Sequence, residues 1–322
     1  MEIVPGLHRI KMPLGNRVLY QHLYTGDRHI IVDTGIKDTP VSHIKPYLTS
    51  LNIDPADLGM ALITHADADH FGGNASLREM SPNIWIAAHR FDAEWISDPD
   101  VIMDGRYNQF EKQHNMSYPE EVTTTLRDMM GSAVPVDMSL NGGETIWLDK
   151  DRPLHVIHLP GHTRGHIGLH DPTYKTGVFT DAILWKGLPD LNGQIVMPPT
   201  YCHTSSYRTT IQQISQLDLE VLCLSHYDLL RGPEVIQEFI SETLRFLDRA
   251  ERTVLEELSE GNSWKSLKDV ISYADPILGP FGDTRAELAY PISGHLSELV
   301  FRNVIETCQI DGIKHWRQPE VK

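Results

Sequence analysis

Polar and apolar residues alternate over Leu7 to Lys11 and Arg17 to Tyr24, whereas His29 to Val32 and Met60 to Ile63 are nearly unbroken apolar runs. Alternation at period two predicts half-buried strands, and short continuous runs predict strands covered on both faces. The first three segments, joined at Gly15-Asn16 and Gly26-Asp27, read as a β-meander. A helix is expected from about 40 to 51 and a buried strand at 84–88. From 89 to 130 the pattern is helical but irregular, broken by Pro99 and Pro119. Strands resume near 145–148, 154–158, 167–170 and 177–180. The Gly-, Pro- and Asn-rich stretch 185–204 is long for an inert connector. A helix at 206–217 leads into a strand at 220–224. After Gly232-Pro233 the pattern is almost wholly helical, over 234–260, 264–272 and 284–309. Strands precede and alternate with helices, which makes the fold class α/β with at least two sheet-forming halves.

Composition narrows the partners. The chain has 322 residues, 40% hydrophobic and 22% charged, as expected of a globular protein with a sizeable core. A net charge of −16 leaves no basic stripe for phosphates, so neither a nucleic acid nor an anionic membrane is an expected partner. No apolar run approaches the ~20 residues of a spanning helix, and the first residues lack the features of a secretory signal. The three cysteines, Cys202, Cys223 and Cys308, are odd in number and far apart, which suits a reducing cytoplasm. The expected compartment is therefore the cytoplasm and the expected partner a small-molecule substrate.

The candidate chemistry sits at strand ends. Thr64-His-Ala-Asp-Ala-Asp-His-Phe-Gly-Gly73 places His65, Asp67, Asp69 and His70 within six positions, just past an apolar strand. Imidazole and carboxylate side chains are what Zn²⁺, Fe²⁺ or Mn²⁺ accept. A polar loop with helix-capping aspartates is the plainer alternative. Four further segments follow the same placement: Asp33 in Asp-Thr-Gly, His162 in Pro-Gly-His-Thr-Arg-Gly-His, Asp181 in Phe-Thr-Asp and His226 in Leu-Ser-His. Strand-end loops meeting at one edge of an α/β core are where ligands usually bind.

In this order the segments resemble the metallo-β-lactamase fold superfamily, over most of residues 1–230. The resemblance implies a four-layer αβ/βα sandwich, with 1–230 as catalytic domain, 89–144 as lid or insertion and 231–322 as a C-terminal helical extension. It also implies a dinuclear site. His65, Asp67 and His162 would hold one metal, Asp69, His70 and His226 the other, and Asp181 would bridge them. Asp33 would orient the cluster loop without touching metal. The implied activity is a metal-dependent hydrolase opening an ester, thioester or lactone of a small metabolite. Its nucleophile would be a metal-bridging hydroxide, with Asp69 orienting it or taking its proton.

Two letters depart from the family pattern. The usual cluster is H-x-H-x-D-H, and position 67 is Asp. Two divalent cations carry +4; Asp67, Asp69 and Asp181 remove three, leaving +1 where a histidine at 67 would leave +2. A less positive site acidifies water less, and the harder oxygen ligand moves preference from zinc, the leading expectation, toward manganese or iron. The family also tends to place Gly before the bridging Asp, where this chain has Thr180.

Other residues are weaker candidates. Tyr201 and Tyr227 could donate to an oxyanion, against packing as partly buried aromatics. Phe91, Trp95, Tyr107 and Phe110 could line the pocket from the inserted segment. His166 reads as structural, and His295 has no place in the ordered metal set. The C-terminal helices could form a homodimer interface. Rival readings are a non-haem di-iron redox protein, suggested by Asp67, a β-lactam or phosphodiester hydrolase, and a metal-binding protein that no longer catalyses.

Overall fold

Along the unbroken apolar strands, neighbouring side chains serve different layers. Ile30 and Val32 face one side of their strand and Ile31 the other; Leu62 opposes Ala61 and Ile63, and Ala87 opposes Ile86 and Ala88. Such strands need apolar cover on both faces, which accounts for their composition. The structure, a computed structural model, describes residues 1–259 and 263–319.

Seven strands form the first sheet, side by side in chain order: Glu2–Val4, Leu7–Leu14, Arg17–Tyr24, His29–Val32, Leu58–Ile63, Trp85–His89 and Met138–Leu140. The first four run antiparallel and the last three add on in parallel. The second sheet is Thr145–Asp149, Arg152–His158, Ile167–Asp171, Thr176–Val178, Val221–Cys223 and Leu230–Arg231. Its one parallel pair is Thr176–Val178 with Val221–Cys223. The inner faces share one apolar cluster, in which Val32, Leu62 and Ala87 meet Val156, Leu169 and Val178. Lys45–Ser50, Asn74–Met80 and Glu120–Met130 cover the outer face of the first sheet, and Thr204–Ser215 and Pro233–Ser259 that of the second. The result is the expected helix–sheet–sheet–helix sandwich.

The C-terminal region departs from the all-helical expectation. The helix read over 284–309 is a 3₁₀ turn at Gly282–Leu288 followed by an α-helix, Ala289–Phe301, that stops eight residues early. Strands Glu306–Ile310 and Ile313–Arg317 follow, and Lys265–Ser266 joins them in a small antiparallel sheet. Asp311 and Gly312 both have positive φ, 51° and 78°, as a two-residue I′ hairpin turn requires. This Asp-Gly pair between Ile310 and Ile313 outweighs the helical spacing before it. The helix expected at 264–272 runs Leu267–Leu278, started by a capping box between Ser266 and Asp269. The end of the helix expected at 234–260, Glu260, lies outside the described residues. The expected loop 185–204 carries a short hairpin, Leu188–Pro189 with Ile195–Met197. Residues on both sides of position 230, such as Tyr227, Phe239 and Trp316, share a single apolar cluster, so the C-terminal helices pack as part of the outer layer.

Candidate metal centre

Five strands deliver the candidate site residues to one edge of the sandwich. Asp33 follows His29–Val32, His65 follows Leu58–Ile63, His162 follows Arg152–His158, Asp181 follows Thr176–Val178 and His226 follows Val221–Cys223. Asp67 sits at the start of a one-turn helix, Ala68–Phe71, which carries Asp69 and His70. His65, His70, His162, Asp181 and His226 are all buried.

Each histidine is aimed through its Nδ1. That of His70 donates to Asp33 Oδ2 (2.7 Å), that of His162 to the Thr200 carbonyl (3.1 Å) and that of His226 to the Val18 carbonyl (3.0 Å). His65 Nδ1 lies 3.0 Å from the Thr64 hydroxyl. All four Nε2 atoms are thereby left for the centre, as second partners of metal-binding histidines usually arrange. Asp33 also accepts from the Thr64 amide (2.7 Å) and hydroxyl (2.8 Å), and so reaches the centre through His70 and, by way of Thr64, through His65.

Thr180 adopts φ of 46°, the left-handed region where the family's usual glycine is free of strain and a β-branched residue is not. Its hydroxyl offsets that cost by donating to Thr64 Oγ1 (3.0 Å) and lying 3.1 Å from His166 Nε2. The unexpected residue is thus accommodated with the strand-end geometry intact. The His166 ring stacks on the His65 ring at 4.7 Å.

The two halves of the centre differ. On one side, His70 Nε2 and His226 Nε2 face Asp69 Oδ2 at 3.9 and 3.6 Å and Asp181 Oδ2 at 3.6 and 3.3 Å. These are ligand-to-ligand spacings, not hydrogen bonds; a tetrahedral ion with bonds of about 2.0–2.2 Å holds its ligands about 3.3–3.6 Å apart. His65 Nε2, His70 Nε2 and Asp181 Oδ1 are buried with no hydrogen-bond partner, a costly state that a cation would relieve. Burial alone would lower the His70 pKa, yet Asp33, Asp69 and Asp181 hold it well above the ordinary value. The donor set therefore fits a divalent cation.

On the other side Asp67 is already engaged. Arg106, buried in the π-helical turn Met103–Tyr107, forms a two-pronged salt bridge to it: Nε donates to Oδ1, and Nη2 to Oδ2 at 2.7 Å. His162 Nε2 lies 2.8 Å from Asp67 Oδ2 and 3.3 Å from Arg106 Nη2. Tyr107 donates to Asp67 Oδ1 (3.4 Å) and accepts from the Ala68 amide (2.9 Å). Burial would raise the Asp67 pKa, but Arg106 and His162 hold it well below the ordinary carboxylate range. His65, Asp67 and His162 still bring ligand atoms within 4.8 Å of one another.

A cavity of about 370 Å³ opens over the centre, within the range of small-molecule sites, with Asp67, Asp69, His162, Asp181 and His226 at its floor. Tyr107, Val122, Leu126 and Met129 wall it from the inserted segment, and Glu287 and Tyr290 from the C-terminal region. Of the aromatics expected to line it, only Tyr107 does so. Phe91 is exposed, Trp95 packs in the helical layer, and Phe110 packs edge-on against Tyr290. Tyr201 and Tyr227 are corrections too. The Tyr201 hydroxyl meets His295 Nε2 (2.8 Å), and Tyr227 donates to the Leu184 and Gly187 carbonyls (2.7 and 2.9 Å). Both are buried away from the cavity, their hydroxyls satisfied by the fold.

A further buried residue, Asp92, escaped the sequence reading. It accepts from the Ala66 amide (3.0 Å), the Thr163 hydroxyl (2.6 Å) and the Gly165 amide (2.8 Å), tying the two histidine loops together. Burial raises its pKa.

The metallo-beta-lactamase superfamily model matches residues 15–226, which is well over half of the chain and contains every ligand named above. The chain belongs to that superfamily. Among curated relatives of this superfamily member, the human acyl-coenzyme A thioesterase MBLAC2 is 28% identical over 217 residues, covering 63% of this chain and 69% of that protein. The chicken MBLAC2 thioesterase is 26% identical over 215 residues, with 63% and 68% covered. Among solved structures, a beta-lactamase domain protein from Burkholderia ambifaria superposes with a TM-score of 0.76 at 16% identity, over 99% of this chain and 93% of that one. A metallo-beta-lactamase family protein from Thermus thermophilus gives 0.73 at 16% identity, over 98% and 100%. These superpositions bear on the fold. Among the described residues no helix is long and apolar enough to cross a membrane.

Proposed function

We propose that this chain is a metal-dependent hydrolase that opens a thioester, or a chemically similar acyl ester or lactone, of a small metabolite. The observation that carries the reading is the open half-centre of Asp69, His70, Asp181 and His226 at the floor of a cavity with an apolar wall. Those four residues would hold the cation, with His65 Nε2 within reach of the same group. A divalent cation bound there would supply Lewis-acid polarisation of the scissile carbonyl and a more acidic water. Zinc leads on its affinity for imidazole and carboxylate, with manganese and iron as the alternatives.

The remaining chemistry falls to the protein. Asp33 fixes the His70 tautomer, and the buried histidine and threonine contacts keep the floor rigid. Asp69, partly exposed to the cavity, is placed to take a proton from an attacking water and return it to a leaving thiolate or alkoxide. Val122, Leu126 and Met129 offer an apolar surface for an acyl chain, and Arg17 brings a cation to the wall, suited to an anionic end of the substrate. The likeness to MBLAC2 thioesterases supports a thioester over the other acyl bonds. Asp67, the carboxylate that suggested redox chemistry, is bound to Arg106, and no observation favours that alternative.

The test is turnover by protein reconstituted separately with Zn²⁺, Mn²⁺ and Fe²⁺ on an acyl-coenzyme A, an aryl ester, a lactone and a β-lactam. The thioester is expected to give the highest kcat/KM. Preference for the β-lactam, or no hydrolysis of any acyl substrate by a metal-loaded protein, would sink the reading.

A further inference from the structure

We propose that the Arg106 guanidinium occupies the place of one of the two cations, so that this centre takes one divalent ion per chain. The inference rests on the metal-dependent reading above and specifies its charge.

Arg106 engages both oxygens of Asp67 and approaches Nε2 of His162, which are two of the three ligand groups on that side. A cation bound there would need the same lone pairs. The guanidinium is also anchored away from them: Nη1 lies 3.3 Å from the His162 carbonyl and 3.9 Å from Cys202 Sγ, and the Tyr290 ring lies 5.5 Å from the guanidinium carbon. Gln109 (2.7 Å) and Tyr290 (3.5 Å) donate to the Arg106 carbonyl and hold its turn of backbone. Only 3% of the residue is exposed. A guanidinium keeps its charge at any accessible pH, so it cannot make way for a metal by losing a proton.

The spacing agrees. His162 Nε2 and Asp67 Oδ2 are at hydrogen-bonding distance, 2.8 Å, with His65 Nε2 3.5 Å from the same oxygen, whereas no nitrogen and oxygen across the open half come closer than 3.3 Å. So does the charge. One divalent cation and Arg106 bring +3 against Asp67, Asp69 and Asp181, a neutral sum. A second cation would raise it to +2 in a buried space and set a metal beside a fixed guanidinium. The pair of Asp67 and Arg106 is neutral in sum, and its guanidinium engages Asp67 and lies beside His162 Nε2 where a metal would otherwise have to bind.

Metal content measures this without reference to turnover. Wild-type protein titrated with Zn²⁺ or Co²⁺, with bound metal quantified by elemental analysis and calorimetry, is expected to bind one ion per chain. Arg106→Met should bind two, with a second set of Co²⁺ absorption bands from the released Asp67 and His162. The double variant Arg106→Met/Asp67→Asn should return to one. Two ions in the wild type would overturn the proposal, as would one ion in Arg106→Met. Should that variant not fold, anomalous scattering from zinc-loaded wild-type crystals gives the same answer. One peak among Asp69, His70, Asp181 and His226 is expected, and a second peak between His65, Asp67 and His162 would refute the substitution. Failure of the wild type to bind any metal would instead remove the hydrolase reading itself, and one bound ion without acyl hydrolysis would remove that reading alone.

Discussion

The two halves of the metal centre are built from the same residue types and stand in opposite states. Around Asp69, His70, Asp181 and His226 the ligand atoms face one another across 3.3–3.9 Å, and buried nitrogen and oxygen atoms lack partners. Around Asp67 and His162 the contacts are closed by Arg106, with only His65 Nε2, 3.5 Å from Asp67 Oδ2, left without a partner. The difference teaches that a ligand motif specifies donors, whereas occupancy depends on whichever cation reaches them first, and the protein can provide its own.

The comparison breaks most completely at the open half. His70→Ala removes an inward Nε2 and frees Asp33, and it should abolish metal binding and turnover together; retention of a tightly bound ion, read by elemental analysis, would show that the cation sits elsewhere. Asp33→Ala leaves all ligands but unfixes His70. Loss of such an outer partner costs about 10–100-fold in metal affinity, to be measured by competition with a chelator. An unchanged affinity would mean that packing and the Thr34 hydrogen bonds to the His70 carbonyl suffice to aim the ring.

The smallest effect concerns the backbone that carries Asp181. Thr180→Ala loses two hydroxyl contacts, worth about 1 kcal/mol each, and keeps a side chain in the left-handed region. Thr180→Gly loses the same contacts and relieves strain of about 1–2 kcal/mol. The alanine variant should therefore unfold at lower denaturant concentration than the glycine variant. The reverse order would show that the left-handed conformation of residue 180 carries little cost.

Much of this was legible in the sequence because the ligands report themselves locally. His65, Asp69 and His70 fall within one loop, and His162, Asp181 and His226 each follow an apolar strand of recognisable length. Arg106 did not, since it lies 39 residues from Asp67 in a segment whose pattern speaks only of irregular helix. A signal existed nonetheless: an extra carboxylate in a buried cluster calls for an extra cation somewhere in the chain. The charge sum of +1, two divalent cations against Asp67, Asp69 and Asp181, omitted that partner. Tyr201 and Tyr227 misled for the opposite reason, because a phenol that could serve an oxyanion serves a histidine or a carbonyl equally well. In the C-terminal region, Asp311-Gly312, just past the end of the helix read over 284–309, marked a hairpin whose first strand takes up the last residues of that reading. Turn chemistry there outranked periodicity.

The three hydrogen bonds of Asp92 lead to a last consequence. They join the loop of His65 to the loop of His162, segments almost a hundred residues apart in the chain, through a carboxylate that does not face the cavity. The entropy of bringing those loops together is thus spent when the chain folds rather than when an ion arrives. The side on which Arg106 meets Asp67 and His162 is therefore set by the fold itself, whatever binds beside it.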